Sequence, residues 1–289
     1  MYAVAGVTGH TGRVAAEELL RGNAPVRVIV RDAAKGEAWK ARGAEVAVAD
    51  LADAHALAAA FEGVRAAYVL VPPQLQAPSL LEYQRAIAEA IRQAAIQARL
   101  PHLVLLSSIG AELDRGTGPI RGLHDAEARL GDLPATRPTF IRAAYFMENF
   151  ATQLGMLDQG VLPTFVPEEL PIPMVATRDI GRLAARTLRE GPGRARVVYI
   201  SAARPYSHRD AADALSRILG RPIRAQRVPL DALVPTLTGM GLSADVASAY
   251  REMMEAMTGG RLVVPPGETC VTGETDLETV LRELVGRRP

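Results

Sequence analysis

What this sequence lacks narrows it first. Cys270 is the single cysteine in 289 residues, so it can form no internal disulfide and cannot build a thiolate metal site alone. Lysine is nearly missing as well: Lys35 and Lys40 are the only two, and any mechanism needing a lysine further along the chain is excluded. There is no excess of charge of either sign. A formal net charge of +1 gives no field that would draw in nucleic acid or an anionic membrane. No apolar run approaches the roughly 18 residues of a membrane span. The first strand is expected to begin at Tyr2, leaving no room for a cleavable signal peptide, and the cytoplasm is the expected compartment. His10, His55, His102, His124 and His208 show no ligand spacing, so no metal is expected.

What is present is enough chain to bury a large core, as one α/β domain with an annex or as two modest domains. Short β-branched runs alternate with amphipathic stretches over the first 150 residues. Strands are expected at Ala3–Gly6, Val26–Val30, Glu45–Val48, Ala66–Val71, Leu103–Leu106 and Thr139–Arg142. Helices are expected at Arg13–Leu20, Ala34–Arg42, Asp53–Phe61, Leu80–Arg99 and near Leu123–Leu130. This repetition predicts a doubly wound parallel α/β sheet. Tyr68–Val71 and Leu103–Leu106 are apolar throughout, which suits strands buried on both faces. Residues 155–175 are rich in Gly and Pro and read as a loop excursion. A helix returns at Asp179–Arg189 and a strand at Arg196–Ser201, and helices are expected to dominate from Pro205 onward. The expected division is a Rossmann-type domain over 1–154 and 176–201. A smaller, mainly helical substrate-binding lobe is expected over 155–175 and 202–289.

Between the first strand and first helix lies Gly6-Val7-Thr8-Gly9-His10-Thr11-Gly12. In that context the first glycine permits a tight turn, the second lets backbone approach phosphate, and the third lets helix and strand pack closely. The free N–H groups at the helix N-terminus then hold the anion. This predicts a dinucleotide pyrophosphate over Gly6, Thr8, Gly9, His10, Thr11 and Gly12. An acidic residue at the end of the second strand would select NAD. Here Val30 is followed by Arg31, with Arg13 and Lys35 near. Cations at that edge favour a 2′-phosphate, and hence NADP (NADPH); solvated surface charge is the alternative. Topology points to Asp50 and Leu51 beside the adenine and Val71 and Pro72 on the ribose side, with mere strand punctuation as the alternative for either. Ser107 and Ser108, at a strand's carboxyl end, are candidates for nicotinamide and substrate respectively, or for capping the following loop.

Together, Gly6–Gly12, Val30-Arg31-Asp32, Gly43-Ala44-Glu45-Val46, Asp50-Leu51, Ser107-Ser108, His124-x-x-Glu127, Phe146-Met147-Glu148-Asn149 and Arg178-Asp179-Ile180 resemble the NmrA-like family. This is an atypical branch of the short-chain dehydrogenases/reductases. The resemblance runs to about residue 225. It implies a Rossmann domain, a small C-terminal lobe, a cleft between them and NADP preference. It implies either reduction of quinones, azo compounds or related electrophiles, or dinucleotide binding without turnover in a redox-responsive regulator. The superfamily's Tyr-x-x-x-Lys pair is missing, which counts against reduction of unactivated ketones and against sugar epimerisation. A hydrolase built on Ser108, His124 and Asp125 lacks a Gly-x-Ser-x-Gly elbow and leaves the glycine loop unexplained. A quinone-like acceptor is more forgiving, since one weak acid or water can protonate the delocalised anion. His124 is the candidate acid, against the alternative of a histidine bonded to Glu127. Tyr145 and Asn149 are expected to face substrate, with Phe146 and Met147 packing at the lobe junction. The expected partner is a small molecule. A homodimer, or a protein partner if the chain is a sensor, stays open.

Overall fold

The computed structural model describes residues 1–286. The first half alternates strand and helix: β1 (Tyr2–Ala5), α1 (His10–Arg21), β2 (Val26–Val30), α2 (Glu37–Lys40), β3 (Glu45–Val48), α3 (Ala54–Phe61), β4 (Ala66–Leu70), α4 (Leu80–Gln97), β5 (His102–Ser108), α5 (Arg121–Gly131) and β6 (Arg137–Ala143). Then come β7 (Tyr145–Phe146), β8 (Val161–Thr164), β9 (Met174–Val175), α6 (Thr177–Glu190), β10 (Val197–Ala202), α7 (His208–Leu219), β11 (Arg224–Arg227), α8 (Leu233–Gly239), α9 (Ala244–Thr258), β12 (Cys270–Gly273) and α10 (Leu277–Gly286).

Eight strands form one parallel sheet in the order β12-β10-β6-β5-β4-β1-β2-β3. Chain order reverses at β1, which lies between β2 and β4, so the crevice beyond β1 and β4 is where ligands gather in such sheets. Side chains alternate across the sheet. Val4 and Val104 enter the core under α1 and α6, whereas Ala3, Ala5, Leu103 and Leu105 enter the core under α3, α4 and α5. Burial on both faces explains the unbroken apolar runs.

Three expectations change. The Ala34–Arg42 helix is a 3-10 turn, Ala33–Gly36, followed by one α-helical turn, because Asp32 caps it locally by accepting from Ala34 N–H. The 155–175 excursion holds β8 and β9, which pair in parallel with β11 and β7, and 3-10 turns over Met147–Gln159 precede it. The segment assigned wholly to the smaller lobe returns to the main sheet: β12 pairs with β10, from Tyr199↔Cys270 to Ala202↔Gly273. A four-residue strand after a Pro- and Gly-rich turn carries too little periodicity to be read alone; its pairing partner decides it.

Candidate active site

The glycine loop shows what each glycine is for. Gly6 sits at φ +69°, the left-handed region that suits glycine, and a Cβ there would also run into Leu70. A Cβ on Gly12 would lie 2.7 Å from the Gly6 carbonyl oxygen and closer still to that of Ala5, so α1 can pack on β1 only over a glycine. Gly9 differs: a Cβ would approach only the Gly6 oxygen, at 3.3 Å, and no other protein atom fills that space. Gly9 is also the N-cap of α1, with no side chain capping the helix and no acidic residue in its first turn. Uncapped N–H groups beside an open glycine form an anion cradle, so these residues fit a pyrophosphate. Thr8 and His10 are exposed at this mouth. The Thr11 side chain is not: it is buried, and its hydroxyl accepts from Tyr68 on β4 at 2.8 Å. Only its backbone N–H is left for the cradle.

At the far edge Arg31 and Lys35 are exposed, and neither makes an ion pair with any described residue. Asp50 is exposed and accepts from Ala52 N–H at 2.9 Å, while Leu51 turns into the core. Tyr83 on α4 joins them, unforeseen from sequence. Burial first, and then Asp50, raise the pKa of its hydroxyl against the opposing pull of Arg31.

Beyond the carboxyl ends of β4, β5 and β6 lies a cavity of about 420 Å³, partly open to solvent. Val71, Pro72, Ser107 and Ser108 form its floor, with Ala144, Tyr145, Phe146 and Asn149 beside them. Helix α9 closes the outer wall with Val246, Tyr250, Met253 and Met257. That helix is pinned in place: Ser243 Oγ donates to the Ala77 carbonyl at 2.6 Å, and Asp245 accepts from Leu80 N–H at 2.8 Å. Gly118 presses so close to the α9 backbone that a Cβ would fall within 2.9 Å of the Ala249 carbonyl carbon.

The polar atoms of the site divide into free and committed. Ser107 is buried and its hydroxyl donates to Glu127 at 2.5 Å. Arg142 grips Glu127 through Nε at 3.0 Å and Nη2 at 2.6 Å, and spends Nη1 on Glu112 and the Tyr199 hydroxyl. Burial opposes the Arg142 charge, but Glu127 outweighs it and raises the guanidinium's pKa. Ser108 donates to the Ile109 carbonyl at 2.9 Å and stays on the cavity wall. Burial pushes the Tyr145 hydroxyl up to about 12, against an opposing pull from Asn149. At neutral pH it therefore remains a hydrogen-bond donor.

His124 is not brought to this cavity. Its Nδ1–H donates to the Ala111 carbonyl at 2.9 Å, and the wall includes Leu123 beside it but not His124. Glu127 goes to Ser107 and Arg142 rather than to His124. Phe146, expected to pack at the lobe junction, lines the cavity, while Met147 is fully buried. The other two motifs are joints of the fold. Glu148 caps α6, accepting from Thr177 N–H at 2.9 Å and its hydroxyl at 2.6 Å. Asp179 accepts from Thr275 N–H at 2.8 Å and so ties α6 to the turn after β12.

The glycine cradle and the cavity-lining residues up to Met257 lie within one stretch that matches the model of the NmrA-like family over residues 2–261. The chain belongs to the NmrA-like family. It is 28% identical over 257 residues to the NAD(P)H azoreductase of Xenophilus azovorans, covering 88% of this chain and 86% of that protein. Its fold is similar to that of Citrobacter sp. triphenylmethane reductase complexed with NADP(H), with a TM-score of 0.82 at 19% identity, covering 98% and 100% of the two chains. An NADPH-dependent quinone oxidoreductase from Escherichia coli aligns with a TM-score of 0.74 at 21% identity, over 99% and 100%. No helix among the described residues is long and apolar enough to cross a membrane.

Proposed function

We propose that this NmrA-like chain is an NADPH-dependent oxidoreductase that reduces a small electrophilic acceptor of quinone or azo type. The observation that carries this is an uncapped, Gly9-fronted helix N-terminus next to an apolar cavity beyond β4, β5 and β6, the two meeting where Gly6 packs against the cavity-lining Leu70. The azoreductase and quinone oxidoreductase named above support the acceptor class.

When bound, NADPH would supply the hydride. The first-turn N–H groups of α1, with Gly6, Thr8, Gly9, His10, Thr11 and Gly12, would hold its pyrophosphate. Arg31 and Lys35 would face the 2′-phosphate, and Asp50 and Tyr83 the adenosine. Val71, Pro72 and Ser107 form the cavity floor on the sheet side, which positions the acceptor. Ser108, Tyr145 and Asn149 offer hydrogen bonds to the acceptor's heteroatoms. The catalytic contribution is mainly proximity and orientation, with water from the open side delivering the proton. This reading makes the Rossmann sheet the cofactor domain and α9 with its surroundings the substrate lobe, and leaves His124 outside the reaction.

Absorbance loss of NADPH across a panel of quinones and azo compounds tests this. Turnover with at least one class is the expected result. Tight NADPH binding with no turnover on any acceptor would instead favour a non-catalytic redox sensor acting through a protein partner.

A further inference from the structure

Among the described residues 25 form the cavity wall, and none is Asp, Glu, Lys, Arg or His. In a chain of which 22% is charged, that is a property of the site and not of the composition. The charges just behind the wall are already spent. Arg142 uses its Nε, Nη1 and Nη2 on Glu127, Glu112 and Tyr199. Arg85 pairs with Asp125 at 2.6 Å, and Asp245 caps α4. Polar groups on the wall are neutral and few: Ser107, Ser108, Gln74, Gln84, Tyr145, Asn149 and Tyr250. An anionic group entering such a space loses its water and meets no cation in return. It would also stand near the phosphates expected over the glycine loop.

We infer that this site selects acceptors that carry no negative charge near the reacting ring, and rejects those bearing a sulfonate or carboxylate there. The inference rests on the reductase reading for the identity of the reaction, but the selection belongs to the cavity itself. A matched pair separates the two: 1,2-naphthoquinone and 1,2-naphthoquinone-4-sulfonate. The sulfonate withdraws electron density and makes the ring the easier hydride acceptor, so a slower reaction with it cannot come from driving force.

The experiment measures NADPH oxidation with each quinone, and calorimetric binding of each to the protein complexed with 1,4,5,6-tetrahydro-NADP, whose nicotinamide is uncharged and gives up no hydride. The neutral quinone should have a kcat/KM at least about a hundredfold higher, the difference lying mainly in KM, and should bind while its sulfonate does not. Met253→Lys, which places a cation on the half-buried α9 wall, should narrow that gap by at least about tenfold. If no quinone or azo acceptor is reduced but the neutral naphthoquinone alone binds, the reductase reading falls and the charge selection stands. Equal kcat/KM for the pair, equal binding of the pair, or binding of neither overturns the selection.

Discussion

The Ser107 hydroxyl donates to the Glu127 carboxylate at 2.5 Å, and Arg142, directly across from Ser107 in the β5–β6 register, holds that carboxylate with two further hydrogen bonds. A serine at the end of β5 thus becomes the tip of a buried ion pair, and this fixes which nearby groups are left to meet a ligand.

The pair itself can be tested. Glu127 and Arg142 side chains are 9% and 11% exposed. Arg142 also pairs with Glu112, whereas Glu127 without Arg142 keeps only the Ser107 hydroxyl, so Arg142→Met strands a buried carboxylate. Arg142→Met should cost about 3–5 kcal/mol of stability by urea denaturation. The double variant Glu127→Leu/Arg142→Met should recover most of that loss. If the single variant lost no more than the double, the pair would not be acting as a buried unit.

The glycine loop separates two kinds of damage. Gly12→Ala pushes a methyl into β1 backbone and should lower stability by about 2 kcal/mol or more. Gly9→Val fills only the open cradle, so its Tm should stay near wild type while NADPH binding is lost by calorimetry. Wild-type NADPH affinity in Gly9→Val would remove the loop from the cofactor site.

Arg31 stands exposed where a 2′-phosphate would arrive. Arg31→Ala should weaken NADPH about ten- to a hundredfold and NADH little, since one charge-assisted hydrogen bond distinguishes them. The wild-type preference for NADPH should shrink as salt screens the exposed pair. Equal losses for both cofactors would mean that Arg31 serves adenine or the fold.

His124→Ala should leave turnover within about threefold of wild type, because proton donation of the usual worth, about 10²–10⁴, requires contact with the reacting group. His124 instead donates to the Ala111 carbonyl, away from the cavity wall. A loss of that larger size with unchanged NADPH affinity would restore it to the mechanism.

Two buried histidines set an acid limit. Burial, and then Arg137, push His102 down to about 4; burial pushes His208 to about 4 against the pull of Glu168. Both are therefore neutral when folded at neutral pH, while the unfolded chain takes up their protons near the ordinary histidine value of 6.5. Their stabilising contribution is complete above about pH 6.5 and is lost as pH falls toward about 4. Tm should decline across that window, and His102→Gln should flatten the decline. An unchanged slope in the variant would show that other groups govern it.

Local chemistry made part of this molecule legible in advance. Val26–Val30 and Glu45–Val48 stand where their β-branched alternation put them, and Gly6 and Gly12 each answer a steric demand at their own position while Gly9 leaves open space between them. Arg31 and Lys35 could be read for the same reason: exposed side chains at a strand end need no partner to be placed. What only the tertiary structure decided are the contacts between residues far apart in the chain. Thr11 lies in the glycine loop, yet its hydroxyl accepts from Tyr68, 57 residues on. His124 and Glu127 share a helix, yet Ala111 takes one and Arg142 the other. The charge-free wall arises only when α9 is pinned over β4 and β5 by Ser243 and Asp245, and Cys270–Gly273 becomes a strand only beside Tyr199–Ala202. Periodicity and steric need act within a few residues and survive in the sequence. A hydrogen-bond partner or a cavity wall is chosen among many competing groups, and the packed core makes that choice.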